Sequence, residues 1–214
     1  MTIRVFLVDD HALVRAGMRM ILSSEVDIEV VGEAESGELA LPLIRRLKPD
    51  VVLCDLNLPG VSGLEITERI LKGQEGTRVV IVSVLEDGPL PKRLLAAGAS
   101  GYVGKGGDAV ELVNAVRSAA CGKRFLGNRV AQNLALARFD GPTPFDGLTP
   151  REVETALLLS QGMRQTDIAA RLSLSVKTVN THKSRMFAKL GIDDTVALAR
   201  LLHQYGLADF GVAV

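Results

Sequence analysis

The stretch Val51-Val52-Leu53-Cys54-Asp55-Leu56-Asn57-Leu58-Pro59 joins two features that seldom occur together. Its first four residues form an apolar run of strand length, and Pro59 with Gly60 marks a turn beyond it. A run with no polar alternation reads as a strand buried on both faces. It nevertheless ends on a carboxylate, a group that buried surroundings normally exclude. An acid at the end of a buried strand fits an open parallel sheet, where ligands gather beyond the carboxyl ends of the strands.

The first 120 residues repeat this rhythm. Short β-branched runs at Ile3 to Val8, Ile28 to Ala34, Val51 to Cys54, Val79 to Val82 and Gly101 to Val103 alternate with helical periodicity near 12–23, 37–47, 64–72, 91–97 and 108–120. Five such βα repeats predict an α/β unit, a parallel sheet with helices on both faces. Pro42 falls inside the second helix and is expected to kink or delay it. Pro89 and Pro91 are compatible with the fourth helix only if it starts there.

Beyond residue 121 the pattern changes. A short amphipathic segment (Val130, Leu134, Leu136, Ala137) is followed by a Gly- and Pro-rich run from Asp140 to Gly147, which reads as a connector between domains. From 148 onward no strand pattern occurs. Thr149-Pro150-Arg151-Glu152 fits a capping box with Pro at the first helical position, and the face Val153, Ala156, Leu157, Ser160 ends at Gly162. Helices are further predicted from Thr166 to Leu172, Val176 to Leu190 and Thr195 to Tyr205, giving an all-α four-helix module. The predicted domains are 1–121 and 146–214, with a connector at 122–145 that carries a short helix.

A chain of 214 residues has room for two cores. Its 25 basic and 25 acidic residues cancel, so a charge signal must be regional. Residues 168–192 hold Arg171, Lys177, Lys183, Arg185 and Lys189 and no acid, whereas residues 1–120 are acidic on balance. Cys54 and Cys121 offer neither a disulfide framework nor paired metal-ligand spacing. The first ten residues lack a signal peptide's apolar core, and no uncharged stretch approaches a membrane span. These features predict a soluble cytosolic protein.

Polar residues of the first domain concentrate at strand ends. The first strand ends in Asp9-Asp10, the third in Asp55 and the fourth in Ser83, while Lys105 follows the fifth. Each alone has a bland reading, since Asp at a strand end commonly caps the next turn or helix. If the sheet is ordered 2-1-3-4-5, strands one and three are neighbours and three carboxylates converge. Their repulsion calls for a cation, and one Lys does not offset three acids. Oxygen-only ligands favour magnesium, which takes one or two carboxylates and a phosphate. Lys105 and the Ser83 hydroxyl would then bind phosphoryl oxygens, and Asp55 would be the nucleophile that becomes an acyl phosphate. Cys54 reads as a core residue and His11 as a helix-start residue.

Val8-Asp9-Asp10-His11, Leu53-Cys54-Asp55-Leu56-Asn57-Leu58-Pro59-Gly60, Ser83 and Gly101-Tyr102-Val103-Gly104-Lys105 together resemble the receiver domain of two-component response regulators, a flavodoxin-like fold. Leu148-Thr149-Pro150-Arg151-Glu152 and Ser175-Val176-Lys177-Thr178-Val179-Asn180-Thr181-His182 resemble the LuxR-type helix-turn-helix. Both in this order cover nearly the whole chain and are similar to the NarL/FixJ class. Pro89-Leu90-Pro91 and Lys177 to Thr181 are similar to its GacA/UvrY branch.

The resemblance implies that Asp55 is the phosphoacceptor, supplied by a sensor histidine kinase or a small phosphodonor. It also implies direct Mg2+ ligation by Asp10 and Asp55, a backbone carbonyl from Asn57, and Asp9 acting partly through water. Lys105 would sense the phosphate, and Ser83 with Tyr102 would form the switch pair. Val84 is bulkier than the small residue often found there, and Gly104-Lys105-Gly106-Gly107 frees the Lys loop.

In the third helix of the second domain, Val179, His182, Met186 and Leu190 form the inward stripe, and Ser175 is a good N-cap. Asn180, Thr181 and Ser184 are expected to face base edges of double-stranded DNA. Lys177, Lys183, Arg185 and Lys189 are expected mostly on phosphate. Against the family, Arg164-Gln165-Thr166-Asp167 replaces the commoner Ser-Asn-Lys-Glu, and Asn180 and Ser184 stand where some relatives have Lys. Fewer cations imply a shallower salt dependence, with a homodimer making up affinity. The expected mechanism is unmasking of the third helix when Asp55 is phosphorylated. Rival readings are a Mg-dependent phosphohydrolase with an Asp nucleophile, disfavoured because Asn57 stands where its second Asp belongs, and a phosphorylation-independent DNA-binding adaptor.

Overall fold

Val5 to Val8 and Val51 to Cys54 are apolar at every position because both faces of their strands are covered. All eight residues are buried in the computed structural model, which describes residues 2–61, 63–73, 76–136, 143–172 and 174–205. The strands are β1 (Ile3–Val8), β2 (Ile28–Ala34), β3 (Val51–Asp55), β4 (Arg78–Ser83), β5 (Gly101–Gly104) and β6 (Phe125–Leu126). They form one parallel sheet in the order β2-β1-β3-β4-β5-β6. The order 2-1-3-4-5 is as expected. The sixth strand corrects the five-stranded reading: Phe125 pairs with Gly101 and Leu126 with Tyr102. Two residues are too few to show a period in sequence, so only the sheet edge they join reveals them.

Helices α1 (Ala12–Ser23), α2 (Gly37–Leu47), α3 (Gly63–Gly73), α4 (Pro89–Ala96) and α5 (Ala109–Ala120) connect the strands. Ser36 caps α2 by accepting the Leu39 N–H, and Asp108 caps α5 by accepting the Val110 N–H. Pro42 does not delay α2, which begins at Gly37 and runs through it. The side chain is exposed, and the bond it removes would have ended on the carbonyl of Glu38, itself an exposed residue of the first turn. Helix α4 starts at Pro89, where missing N–H groups have no helical partner to lose.

Alternation along the strands sends Val5, Leu7, Leu53, Val80 and Val82 to one face. There they pack with Met18 and Leu22 of α1 and with Leu112, Val113 and Val116 of α5. Each buried aliphatic side chain contributes about 1.5–3 kcal/mol. That surplus lets the sheet retain buried acids at its carboxyl edge. The first compact unit comprises Met1–Glu86 and Pro91–Gln132, and the second comprises Asp87–Leu90 and Asn133–Val214.

Past β6 lies α6 (Asn128–Leu136), the predicted amphipathic segment, with Val130 buried. Ala137 and the run from Asp140 to Pro142 lie outside the described residues. A 3-10 turn, Pro144–Gly147, occupies the expected connector and buries Phe145. The second unit is otherwise α7 (Pro150–Ser160), α8 (Gln165–Arg171), α9 (Val176–Leu190) and α10 (Thr195–Gln204), the four expected helices. Thr149 and Glu152 form the capping box, Ser175 and Asp194 cap α9 and α10, and Gly191 ends α9 at φ 65°. Phe145 meets Tyr205 edge to face at 5.9 Å. No described helix is long and apolar enough to cross a membrane.

Candidate functional site

Parallel pairing of β1 with β3 aligns Val8 with Cys54, so the residues that follow, Asp9 and Asp55, leave the sheet side by side. Asp9 is inaccessible and Asp55 is 2% exposed. Lys105 enters from the loop after β5, anchored by its backbone N–H on the Ser83 carbonyl at 2.8 Å. Its ammonium lies 2.8 Å from both Asp9 Oδ2 and Asp55 Oδ2. One cation thus bridges two buried acids 46 residues apart in sequence.

Asp10 is more open and pairs with His11, whose Nδ1 lies 2.7 Å from its Oδ1 and 3.4 Å from Asp9 Oδ1. Asp9, Asp10, His11 and Asp55 each bring a donor atom within 4.8 Å of the others, a group able to hold a metal ion. Three of the four donors are carboxylate oxygens, the chemistry that suits a hard cation. His11 occupies the N-cap position of α1, in keeping with its reading as a helix-start residue, but its ring also joins the cluster. Only its position directly after two acids hints at that in the sequence. Arg15, one turn into α1, donates to the Asp9 carbonyl at 2.6 Å and so ties the end of β1 to the helix.

Electrostatics follow from this geometry. Burial pushes the Asp55 carboxyl above its ordinary value, outweighing the pull of Lys105 and of the Asn57 N–H, which donates to Asp55 Oδ1 at 3.3 Å. For Lys105, burial works against the charge, but the fields and hydrogen bonds of Asp55 and Asp9 prevail and raise its pKa. The loop after β3 turns tightly: the Gly63 N–H donates to the Leu56 carbonyl at 3.1 Å, and a Cβ on Gly63 would collide with the Asp55 carbonyl.

Asp55 pairs in register with Val82, which puts Ser83 one residue further along the neighbouring strand end. The buried Ser83 hydroxyl accepts the Leu85 N–H at 3.1 Å, and the buried Tyr102 hydroxyl donates to the Leu85 carbonyl. Ser83 and Tyr102 therefore meet at one residue, Leu85. Val84, between Ser83 and Leu85 in the chain, is 66% exposed.

In the second unit, α8 and α9 are separated by residues 172–175. Val179 and Met186 are fully buried, and His182 and Leu190 are half-buried, along the inward stripe of α9. Burial lowers the His182 pKa, because it disfavours the charged ring. Lys177, Asn180, Thr181, Ser184 and Arg185 are exposed. Two expected phosphate contacts are engaged within the domain. Lys183 lies over the Phe187 ring at 5.1 Å. Lys189 Nζ lies 2.6 Å from Oε2 of the buried Glu152. Burial disfavours the Glu152 charge, yet Lys189 and Thr149 hold the carboxyl below its ordinary value. The sequence hides this pairing because Glu152 already has a complete role in the capping box.

Residues 5–117 match the response regulator receiver domain, and residues 146–202 match the bacterial regulatory proteins of the luxR family. The chain is 44% identical over 210 residues to the response regulator GacA of Pseudomonas aeruginosa, covering 97% of this chain and 98% of that one. It is 40% identical to the response regulator UvrY of Escherichia coli K12, covering 97% and 96%. Among solved structures it resembles RcsB of Salmonella enterica serovar Typhimurium bound to promoter P1flhDC with the phosphomimetic BeF3−. That match has TM-score 0.71 and 26% identity, and covers 95% of this chain and 100% of RcsB. The buried acids with their bridging Lys, the exposed polar face of α9 and these matches along both units lead to one conclusion: the chain belongs to the two-component response regulators that join a receiver domain to a LuxR-type helix-turn-helix.

Proposed function

We propose that this chain is a cytoplasmic transcription regulator whose DNA binding is set by phosphorylation of Asp55. One observation carries the reading. Asp55 is almost inaccessible, yet its Oδ2 touches the Lys105 ammonium at 2.8 Å, with Asp9 and Asp10 beside it. A buried acid cluster of this kind needs a positive partner, and it matches what a phosphoryl group and a divalent ion require.

Asp10, Asp55 and the Asn57 backbone carbonyl would hold Mg2+, with Asp9 acting partly through water. The ion, when bound, offsets the carboxylate charges and withdraws charge from phosphoryl oxygens. An Asp55 carboxylate oxygen attacks phosphorus; the bond from phosphorus to a sensor kinase's phosphohistidine nitrogen, or to the leaving oxygen of a small phosphodonor, breaks with its electron pair. The product is an acyl phosphate on Asp55. Lys105 then trades a carboxylate oxygen for a phosphoryl oxygen, and Ser83 donates its hydroxyl to another. Tyr102 follows through Leu85. About two added negative charges shift a pre-existing equilibrium toward the form that binds DNA as a homodimer.

The receiver is assigned to 1–121, the connector to 122–145 and the DNA-binding domain to 146–214. Helix α9 would enter the major groove, with Asn180, Thr181 and Ser184 toward base edges and Lys177, Lys183 and Arg185 on phosphates. Lys189 reaches phosphate only by leaving Glu152. The similar RcsB complex, which combines promoter DNA with a phosphomimetic, supports linking the two units in this way.

The test uses intact protein and duplex DNA selected by it from a random pool. Acetyl phosphate with magnesium should tighten binding and promote dimers, and Asp55→Ala should abolish both effects. Equal binding with and without the phosphodonor would overturn the reading in favour of a phosphorylation-independent adaptor.

A further inference from the structure

Glu86 follows the Ser83-to-Leu85 segment directly and does not turn outward. Its side chain is 11% exposed and its Oε2 lies 3.1 Å from Nε of Arg129, a residue of α6 that is 76% exposed. The carboxylate reaches this place over Gly104, whose missing side chain leaves the space; any Cβ there would collide with Glu86 Oε1. Among the described residues, three polar contacts therefore hold the start of helix α6 within the first unit. Strand β6 pairs with β5 just before it, continued by the Gly127 N–H donating to the Tyr102 carbonyl at 2.9 Å. Glu111 of α5 accepts the first helical N–H, that of Asn128, at 2.9 Å. Arg129 grips Glu86.

The first two fastenings belong to rigid elements. The third belongs to the loop that follows Ser83, because Leu85, just before Glu86, donates its N–H to the Ser83 hydroxyl and accepts from the Tyr102 hydroxyl at its carbonyl. The first compact unit ends at Gln132, within α6, so this helix belongs to both units. A change at its first turn is thus a change in the element that leads into the DNA-binding domain.

We propose that the Glu86–Arg129 pair is a latch that passes the state of Asp55 to α6. This rests on the reading of Asp55 as the phosphoacceptor. When Ser83 turns its hydroxyl to the phosphoryl group, the Leu85 N–H loses its acceptor, Leu85 shifts with Tyr102 still on its carbonyl, and Glu86 is drawn away from Arg129. The first turn of α6 then keeps two fastenings of three. Coupling of this kind is reciprocal: opening the latch favours the phosphorylated conformation as much as phosphorylation favours opening.

The experiment compares intact wild type with Glu86→Gln, Arg129→Gln and the double variant. Hydrogen exchange is followed over residues 128–136 and, as an internal control, over α5. Phosphorylation by acetyl phosphate with Mg2+ is followed by gel mobility. In wild type, phosphorylation should speed exchange in α6 and leave α5 unchanged. In Arg129→Gln, α6 should exchange faster before any phosphodonor is added, and labelling at a limiting donor concentration should rise roughly two- to fivefold, the coupling expected of one partly exposed ion pair. The double variant should do no more than either single one, because all three remove the same interaction. Equal α6 exchange in wild type and Arg129→Gln, with Asp55 still labelled in both, overturns the latch. Failure of wild type to take up label at all overturns the reading of Asp55 instead.

Discussion

Asp55 is ionised at a cost, because burial works against its charge more than Lys105 works for it. Its neutral form is favoured by burial, so its proton is held above the ordinary value of 3.8. The stability contributed by this group is therefore present below 3.8 and is lost as pH rises through the raised value. At neutral pH the ionised carboxylate is a cost. Asp55→Asn should raise the thermal midpoint of the receiver unit by a few degrees, as followed by calorimetry, while abolishing phosphate incorporation. The same shift sets a kinetic expectation: labelling by acetyl phosphate should fall on the acid side at a higher pH than a free Asp would give, and magnesium should move that fall to lower pH. Lys105 carries the opposite burden, since its removal leaves Asp9 and Asp55 facing each other. Lys105→Met should destabilise the receiver by about 1–3 kcal/mol at pH 7, measured by urea unfolding, and lowering the pH or adding Mg2+ should recover part of the loss.

Helices at the site depend on close approach and on caps. The amino end of α3 passes so near the Asp55 carbonyl that residue 63 has no room for a side chain. Gly63→Ala must push the β3–α3 loop aside, and it should lower both stability, by about 1–3 kcal/mol, and the phosphorylation rate. In the second unit Ser175 starts α9 by accepting the Thr178 N–H at 3.1 Å. Ser175→Ala should cost about 0.5–2 kcal/mol in that domain's unfolding free energy and weaken DNA binding, because the same turn presents Lys177 and Asn180. Element boundaries were largely legible in the sequence, since period, cap and Pro position are local. Pro42 was the exception. A helix with its Pro near the first turn and on the solvent face loses little, which a rule about helix interiors overstates.

Across the whole molecule, charge that cancels in the total is divided between two tasks. The cations of α9 are not equivalent: Lys177 and Arg185 are exposed, whereas Lys189 is paired with Glu152. Lys177→Gln should flatten the salt dependence of DNA binding by about one unit of log–log slope per monomer. Lys189→Gln should leave the slope unchanged and lower the stability of the helical domain instead, because it strands a buried carboxylate. Titrating binding against salt for the two variants separates these outcomes, and equal slopes would return Lys189 to the DNA.

The sequence by itself determined strands β1 to β5 and the helices, the parallel class of the sheet, the all-helical second unit, and that acids, hydroxyl and Lys stand at strand ends. These are matters of local period and local capping, which a short window contains. Only the tertiary structure decided that Lys105 bridges Asp9 and Asp55, that His11 joins the acids, and that β6 extends the sheet. It alone decided that Lys189 belongs to Glu152 and Glu86 to Arg129. Apart from the pairing of His11 with its neighbours Asp9 and Asp10, each of these joins residues distant in sequence through one contact between side chains or one rung of backbone pairing, and the choice among possible partners is made by the packed fold around them.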